Sequence, residues 1–381
     1  MKFLHTSDLH IGLRLCEAPM NGEIEAALDA VRDIAVREAC DAVIAAGDIY
    51  DRAAPSADSV AVFDRFVTGL SAAGIPILAI SGNHDSPERV GYLSALLDRA
   101  GAHVSPVYDG EVRPVTLEDR AGPVDFWLLP FFRPVQYRAA VEGTAAESWG
   151  DTAAEAIARL GIDPGRRNVL IAHHFAAPDG IESTAGGIGR VDPSVYAPFD
   201  YVALGHLHRA HAVGRRTVRY SGSPVKCSFD EADDAKSVSL VTIDGERAVR
   251  LDEIPRPVRR DVRQMRGTYE ELVSPAFREK GDPDDYLRVI LTDEEDVPDA
   301  VAKLRVVYPN LLRLSYDNQR TRALGRLEIV TEDETGPDSL TPESVFAQLW
   351  ERQQGAPPDE ETVRLAEELF RAAREAEGGR R

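Results

Sequence analysis

A mixed α/β protein, extended by a small β-α-β-α-β domain and a C-terminal pair of helices, is the fold class this 381-residue sequence predicts. Three observations carry that expectation. Short apolar runs alternate with helical patterns early in the chain, clusters containing Asp or His follow the apolar runs, and the rhythm restarts after the stiff joint Pro255-Arg256-Pro257.

The elements follow in order. Lys2 to His5 reads as a strand whose exit loop carries Asp8 and His10, and Asn21 to Ala39 shows helical spacing in Ile24, Leu28, Val31 and Ala35. The buried run Ala42 to Ala46 delivers Gly47-Asp48. Ser56 is positioned to cap a helix bearing Val60, Phe63, Val67 and Leu70, stopped by Gly74, and the Pro76 to Ile80 strand leads into Ser81-Gly82-Asn83-His84-Asp85. From Ala102 onward shorter candidate strands, His103 to Val107, Val112 to Thr116 and Asp125 to Leu129, suggest a second sheet. A helix near Asp151 to Arg159 precedes the Val169 to Ala172 strand and His173. A Gly-rich loop, Gly180 to Gly189, is too long and polar to be core. Tyr201 to Leu204 ends in Gly205-His206-Leu207-His208, Gly214-Arg215-Arg216 reads as a hairpin turn, and strands at Val238 to Ile243 and Ala248 to Leu251 close a first domain, 1–253.

A second domain, 254–330, is expected from a strand at Val258 to Arg263, a helix at Tyr269 to Phe277, a strand at Tyr286 to Leu291, a helix at Val297 to Tyr308 and a strand at Leu311 to Tyr316. The acidic, turn-rich stretch around 331–340 is a linker, and 341–377 holds two amphipathic helices separated by Gly355-Ala356-Pro357-Pro358. No apolar segment of membrane length and no signal peptide are visible, so a cytoplasmic protein with no membrane partner is expected. Three scattered cysteines, Cys16, Cys40 and Cys227, read as structural. A formal charge of −20 excludes coating of nucleic acid by bulk electrostatics, so any polyanionic substrate must be held locally.

The chemistry rests on clusters at strand ends. Asp8, His10, Asp48, Asn83, His173, His206 and His208 offer hard oxygen and imidazole donors, the set that a divalent cation hydrolysing phosphate esters requires, and a carboxylate such as Asp48 can bridge two ions. Thiolates are absent from the set, which disfavours structural zinc. Strand alternation favours His173 over His174. His5, His103 and His211 read as structural or solvent-exposed, and Ser221-Gly222-Ser223 as a turn.

Asp8-Leu9-His10, Gly47-Asp48, Gly82-Asn83-His84-Asp85, His173 and Gly205-His206-Leu207-His208 resemble, in order and spacing, the motifs of the calcineurin-like metallophosphoesterases. Longer stretches, Thr6 to Gly12, Gly47 to Arg52, Phe199 to His208 and Tyr220 to Pro224, resemble the SbcD family of bacterial nuclease subunits. The resemblance implies two mixed β-sheets packed face to face and flanked by helices. It implies a double-strand 3'-to-5' exonuclease and single-strand endonuclease, acting with the coiled-coil ATPase SbcC on DNA ends and hairpins, as a homodimer within a heterotetramer. It further implies two divalent ions, Mn2+ before Mg2+: Asp8, His10, Asp48 and His208 for one, Asp48, Asn83, His173 and His206 for the other. His84 would be the catalytic imidazole, oriented by Asp85. Asp51 departs from archaeal and eukaryotic relatives, which carry histidine there, so no role of that imidazole transfers.

Two other classes compete with this reading: a phosphodiesterase or phosphatase with a non-DNA substrate, against which the second domain and the C-terminal helices count, and a non-catalytic scaffold, against which the intact ligand set counts. Three surfaces are expected beyond the cage. Arg256, Arg259, Arg260, Arg263 and Arg266 form a candidate DNA contact. Val62, Phe66, Tyr92 and Leu96 are candidate dimer contacts, and Phe346, Leu349, Trp350 and Phe370, repeating at helical spacing, are candidate contacts to SbcC.

Overall fold

Strands such as Lys2–Thr6 and Ala42–Ala46 carry buried side chains on both faces, so each must be covered twice. The computed structural model meets this demand with two six-stranded mixed sheets. It describes residues 1–181, 187–256 and 258–322, together with 346, 350, 358, 359, 362–366, 369 and 370. The expected linker, Leu349, Pro257 and part of the Gly-rich loop lie outside the described residues. The chain divides into two compact units, Met1–Ile290 with Pro298–Ser315, and Leu291–Val297 with Tyr316–Arg381.

In the first sheet Lys2–Thr6, Ala42–Ala46, Ile77–Ile80 and Ala102–Val104 run parallel, and Ser237–Ile243 and Val249–Pro255 extend it antiparallel on the other side of Lys2–Thr6. In the second, Gly122–Leu128, Arg167–His173, Tyr201–Gly205 and Arg215–Tyr220 run parallel, with Val115–Asp119 and His211–Val213 antiparallel at the edges. Gly214 makes the turn between His211–Val213 and Arg215–Tyr220, at φ 67°.

Between the sheets Phe3, Ile44, Leu78 and Ile80 meet Phe126, Val169, Ile171 and Tyr201. On the outer face of the first sheet, Leu4, Val43 and Ile77 pack with Ile24, Leu28 and Val31 of the Asn21–Arg37 helix and with Val62, Phe66 and Leu70 of the Ala57–Ala72 helix. On the outer face of the second, Leu170, Ala172 and Val202 pack with Ala153, Ala156 and Ile157 of the Trp149–Ala158 helix. Each large side chain so covered contributes about 1.5–3 kcal/mol relative to leaving it in water.

Two expectations change here. The Ala57–Ala72 helix buries the Ser59, Val62, Phe66, Leu70 face and leaves Val60 46% exposed, so Val62 and Phe66 belong to the core and are unavailable to a second copy. Tyr92 and Leu96 do stay exposed, at 70% and 60%. The arginine cluster is the second change. Its strand is Val262–Gly267, not Val258 to Arg263, because Arg260 pairs with Glu23 (3.0 Å) and Asp261 with Lys226 (2.8 Å), drawing the segment onto the Asn21–Arg37 helix and the loop that carries Lys226. Arg256 is buried, which pushes its guanidinium down to about 10, and Arg263 is tied to Asp285 at 2.6 Å. Of the five arginines, Arg259 and Arg266 present exposed side chains; Arg256 is buried, and Arg260 and Arg263 are paired with carboxylates, which leaves them less charge to offer phosphate.

In the small three-stranded sheet Tyr286–Leu291 lies between Val262–Gly267 and Leu311–Tyr316. Among the described residues no helix is long and apolar enough to cross a membrane.

Candidate metal centre

Parallel strands end on one edge, and the loops that leave them continue the pairing: Asp8 N–H donates to the Gly47 carbonyl, His10 N–H to that of Asp48 and Ile11 N–H to that of Ile49, each at 3.0 Å. The chain there is held in an uncommon conformation. Asp8, His10, Asp48 and His206 have φ of 53°, 43°, 48° and 105°, a left-handed placement that costs roughly 1–3 kcal/mol per residue with a Cβ. Two glycines permit the close approach: a Cβ on Gly82 would collide with the Asp48 backbone and carboxylate, and one on Gly205 with the Ala46 carbonyl.

The result brings all seven expected ligands and His84 into one cluster. His10 Nε2 lies 3.0 Å from His208 Nε2 and 3.8 Å from Asp48 Oδ2. Asp48 Oδ2 also lies 3.4 Å from His173 Nε2, so this carboxylate stands between two groups of donors. Asn83 Oδ1 faces His173 Nε2 at 3.0 Å and His206 Nδ1 at 3.1 Å. Asp8 is fully buried; its Oδ1 accepts from His206 N–H (2.9 Å) and its Oδ2 from the Ser7 hydroxyl (2.6 Å). Donor atoms of Asp8, Asp48 and His173 lie within 4.8 Å of one another, as do those of His10, Asp48 and His84.

These residues fit divalent cations. Opposed imidazole nitrogens at 3.0 Å aim lone pairs at shared space, and the buried His206 Nε2 has no hydrogen-bond partner. Tautomers are set from behind. His173 Nδ1 donates to the Ala46 carbonyl (2.9 Å) and His208 Nδ1 to Glu231 Oε1 (2.9 Å), which leaves each Nε2 as the nitrogen that could ligate a cation.

Electrostatics agree with a cage built for positive charge. Burial opposes ionisation of Asp48, but His173, His10 and His84 hold its carboxyl well below the usual range. Burial likewise works against a charged His173, and Asp48 with Asp8 pulls it up to about 9. For His208, burial is outweighed by the Cys227 thiol and Glu231, which raise it to about 11. His206 goes the other way, to about 4, through burial and its neighbour His173.

His84 stands apart in exposure. Its ring meets His10 edge-on at 4.8 Å, and its Nδ1 donates to the Asp51 carbonyl at 3.0 Å, leaving Nε2 free. Asp85 does not orient it. The Asp85 carboxylate turns inward and accepts from the N–H groups of Ile49 (3.0 Å), Tyr50 (2.8 Å) and Gly82 (2.9 Å), pinning two motif loops together. Burial and the charge of Asp48 push it up to about 7, against those three donors. Neighbours in a tight turn point apart, so adjacency to His84 was misleading.

Other histidines fall away from the cage. His174 bonds the Tyr196 hydroxyl at 3.1 Å, and burial lowers it to about 3. His5 is sealed between the sheets, His103 pairs with Asp98 and His211 stacks on Tyr220.

Glu231 went unread in the sequence. Besides holding His208 it accepts from Lys236 Nζ at 2.6 Å, and Lys236 is itself buried, with a further bond to the His208 carbonyl. Cys227 is also nearer than expected, its sulfur grouped with the donors of His10 and His208. Burial raises its thiol, which donates to the Val225 carbonyl at 3.6 Å, so it remains a neighbour to a hard-ligand set.

Comparison with known proteins bears on the same residues. Residues 1–210 match the calcineurin-like phosphoesterase family, and residues 258–354 match the domain described as the type 5 capsule protein repressor C-terminal domain. The chain is 28% identical to the SbcD subunit of the SbcCD nuclease from Staphylococcus epidermidis, over 83% of this chain and 85% of that protein. With its counterpart, the SbcD subunit of the SbcCD nuclease from Staphylococcus saprophyticus, the identity is again 28%, over 83% of this chain and 84% of the relative. Because the phosphoesterase match spans more than half of the sequence and takes in every residue of the cage, the chain belongs to the calcineurin-like phosphoesterase family.

Proposed function

We propose that this protein is the nuclease component of an SbcCD-type complex, a metal-dependent phosphodiesterase that hydrolyses DNA at ends and hairpins in the cytoplasm. The observation that carries the reading is the shared position of Asp48 between two donor groups with the exposed His84 beside them. The staphylococcal relatives, named as components of the SbcCD nuclease and similar over most of both chains, supply the substrate class. Asp8, His10, Asp48 and His208 would hold one divalent cation, and Asp48, Asn83, His173 and His206 the other; oxygen and imidazole donors suit Mn2+ or Mg2+. When bound, such ions supply Lewis acidity that offsets phosphate charge.

The chain's own residues do the rest. Because a carbonyl can only accept, His84 Nδ1 carries hydrogen toward Asp51, and in the protonated ring Nε2–H is the donor available to a phosphate or leaving oxygen. Asp85 locks the loop that presents this ring. Two copies of the chain pair through the exposed Tyr92 and Leu96, and SbcC docks on the C-terminal helices; light scattering at micromolar concentration tests the pairing, and a persistent monomer overturns it.

Replacing His84 with Ala should leave metal content unchanged and slow plasmid nicking by about 10²–10⁴-fold. Asp48→Ala should instead lose metal. Elemental analysis and nicking assays run in parallel decide the matter, and full nicking by the His84 variant would defeat the assignment.

A further inference from the structure

One corner of the metal centre holds a sulfur that the hard-cation reading does not use. Donor atoms of His10, His208 and Cys227 lie within 4.8 Å of one another, whereas the two other such clusters among the described residues both contain Asp48. Cys16 and Cys40 belong to none of these clusters.

The surrounding chain fixes Cys227 where it stands. It follows Lys226, which is buried and paired with Asp261 at 2.8 Å, and it precedes the Phe229–Glu231 turn, in which Phe229 is buried. Cys227 N–H donates to Glu231 Oε2 at 3.2 Å, while Glu231 Oε1 accepts from His208 Nδ1 at 2.9 Å. One carboxylate therefore sets both the imidazole and the residue that bears the sulfur. Across the gap, the buried His10 places Nε2 3.0 Å from His208 Nε2. The thiol's own bond, 3.6 Å to the Val225 carbonyl, is weak enough to give up.

Ligand softness says which cation this corner suits. Two imidazoles and a thiolate are a zinc donor set, and a tetrahedral zinc with nitrogen at about 2.0–2.1 Å and sulfur at about 2.3 Å spaces its donors by about 3.3–3.6 Å. The spacings here, 3.0 Å between the two nitrogens and no more than 4.8 Å to the sulfur, reach that arrangement by small side-chain movements. Manganese and magnesium prefer oxygen and leave a thiol aside, whereas zinc binds nitrogen and sulfur donors more tightly than manganese does.

We propose that His10, His208 and Cys227 form a thiolate site for zinc, an alternative to the hard-cation centre that draws on two of its ligands. Binding forms a zinc–sulfur bond and breaks the S–H bond, the proton passing to solvent. An ion held there takes His10 and His208 away from the cation they would share with Asp8 and Asp48, so zinc inhibits the enzyme through Cys227. The site stands on the cluster alone, and its effect on nicking rests on the nuclease reading.

The test uses the full-length protein, freed of metal by a chelator, with Co2+ as a coloured substitute for zinc. Titration should raise a near-ultraviolet sulfur-to-cobalt charge-transfer band in the wild type and in Cys16→Ser but not in Cys227→Ser, and added zinc should abolish the band. Zinc should also protect Cys227 of the wild type from alkylation, mapped by mass spectrometry, a measurement that needs no variant. In manganese, Cys227→Ser should nick plasmid as fast as the wild type, with the half-inhibiting zinc concentration raised by about tenfold or more, since losing a ligand costs at least what an outer partner does. Absence of the band in the wild type, its survival in Cys227→Ser, or alkylation of Cys227 unaffected by zinc overturns the site. Equal zinc inhibition of the two proteins overturns the inhibitory role. A wild type that does not nick in manganese overturns the nuclease reading instead, and the band, read without substrate, tells the two failures apart.

Discussion

The Glu231 carboxylate lies outside the ring of donors and decides how one of them is presented. It accepts from His208 Nδ1 and from the buried Lys236, so the imidazole is held in a single tautomer with Nε2 toward His10. Burial would raise this carboxyl, yet His208 and Lys236 bring it down to about 2. Partners of this kind typically change metal affinity by about 10–100-fold. Glu231→Ala should therefore weaken manganese binding by that factor while leaving His84 and its Asp51 contact alone, and Glu231→Gln, which keeps an acceptor oxygen, should recover much of it. Competition titration against a chelating dye measures the effect; unchanged affinity would reduce Glu231 to a counterion for Lys236. The expected ligands were legible because their clusters sit just past apolar strands, several of them beside a Gly as in Gly47-Asp48, Gly82-Asn83 and Gly205-His206. Glu231 had no such marker, lying in the acidic run Asp230-Glu231, and Asp85 was marked by the wrong neighbour. Sequence adjacency reports chemistry only where the backbone direction is known.

Strands were the most readable elements, since runs such as Ala42 to Ala46 are too apolar for anything but a doubly covered position, and the Ser56 cap sets the start of its helix, accepting from Ser59 N–H at 3.2 Å. Less readable was which helix face turns inward: the Ala57–Ala72 helix has apolar residues nearly all round, and contact with Leu28 and Ile77 selects Val62 and Phe66. What joins one sheet to the other was also hidden. His5, central in the Lys2–Thr6 strand, places Nδ1 2.9 Å from the hydroxyl of Tyr201 in the second sheet. Burial, helped by Arg219, lowers this imidazole from 6.5 to about 3. Between those values the unfolded chain binds a proton that the folded chain refuses, so stability is complete above pH 6.5 and falls as pH drops toward 3. The slope is about 1.4 kcal/mol per pH unit from this one group. Urea unfolding at pH 7, 6 and 5 should show a smaller decline for His5→Leu than for the wild type, even though the variant starts less stable with Tyr201 unpaired. Parallel declines would assign the acid sensitivity elsewhere.

At the scale of the whole molecule, a net charge of −20 and a phosphodiester substrate are reconciled if binding is local and, on the proposed reading, shared with a partner. The tying of Arg260 and Arg263 to carboxylates removes part of the basic surface that the sequence suggested, which leaves more of the task to that partner. The C-terminal helices are where we place it. Asp359 Oδ1 accepts from Thr362 N–H at 2.8 Å, the bond of a helix N-cap. Phe346 meets Trp350 at 5.8 Å and Phe370 at 6.3 Å, so the aromatic residues partly cover one another, and Ala366 is buried. Leu365 and Leu369, spaced by one helical turn, remain 58% and 62% exposed. Two leucines held side by side on a short helix are a cost in water unless another surface covers them. Ending the chain after Asp338 should abolish co-purification with SbcC and leave manganese-dependent nicking of single-stranded DNA within about twofold, because every residue of the cage belongs to the other unit. Leu365→Asp with Leu369→Asp should give the same separation in the full-length chain without disturbing the Phe346–Phe370 contact. Retained SbcC binding in both proteins would show that the leucines serve no partner, and loss of nicking in the truncated one would show that the two units depend on each other for folding.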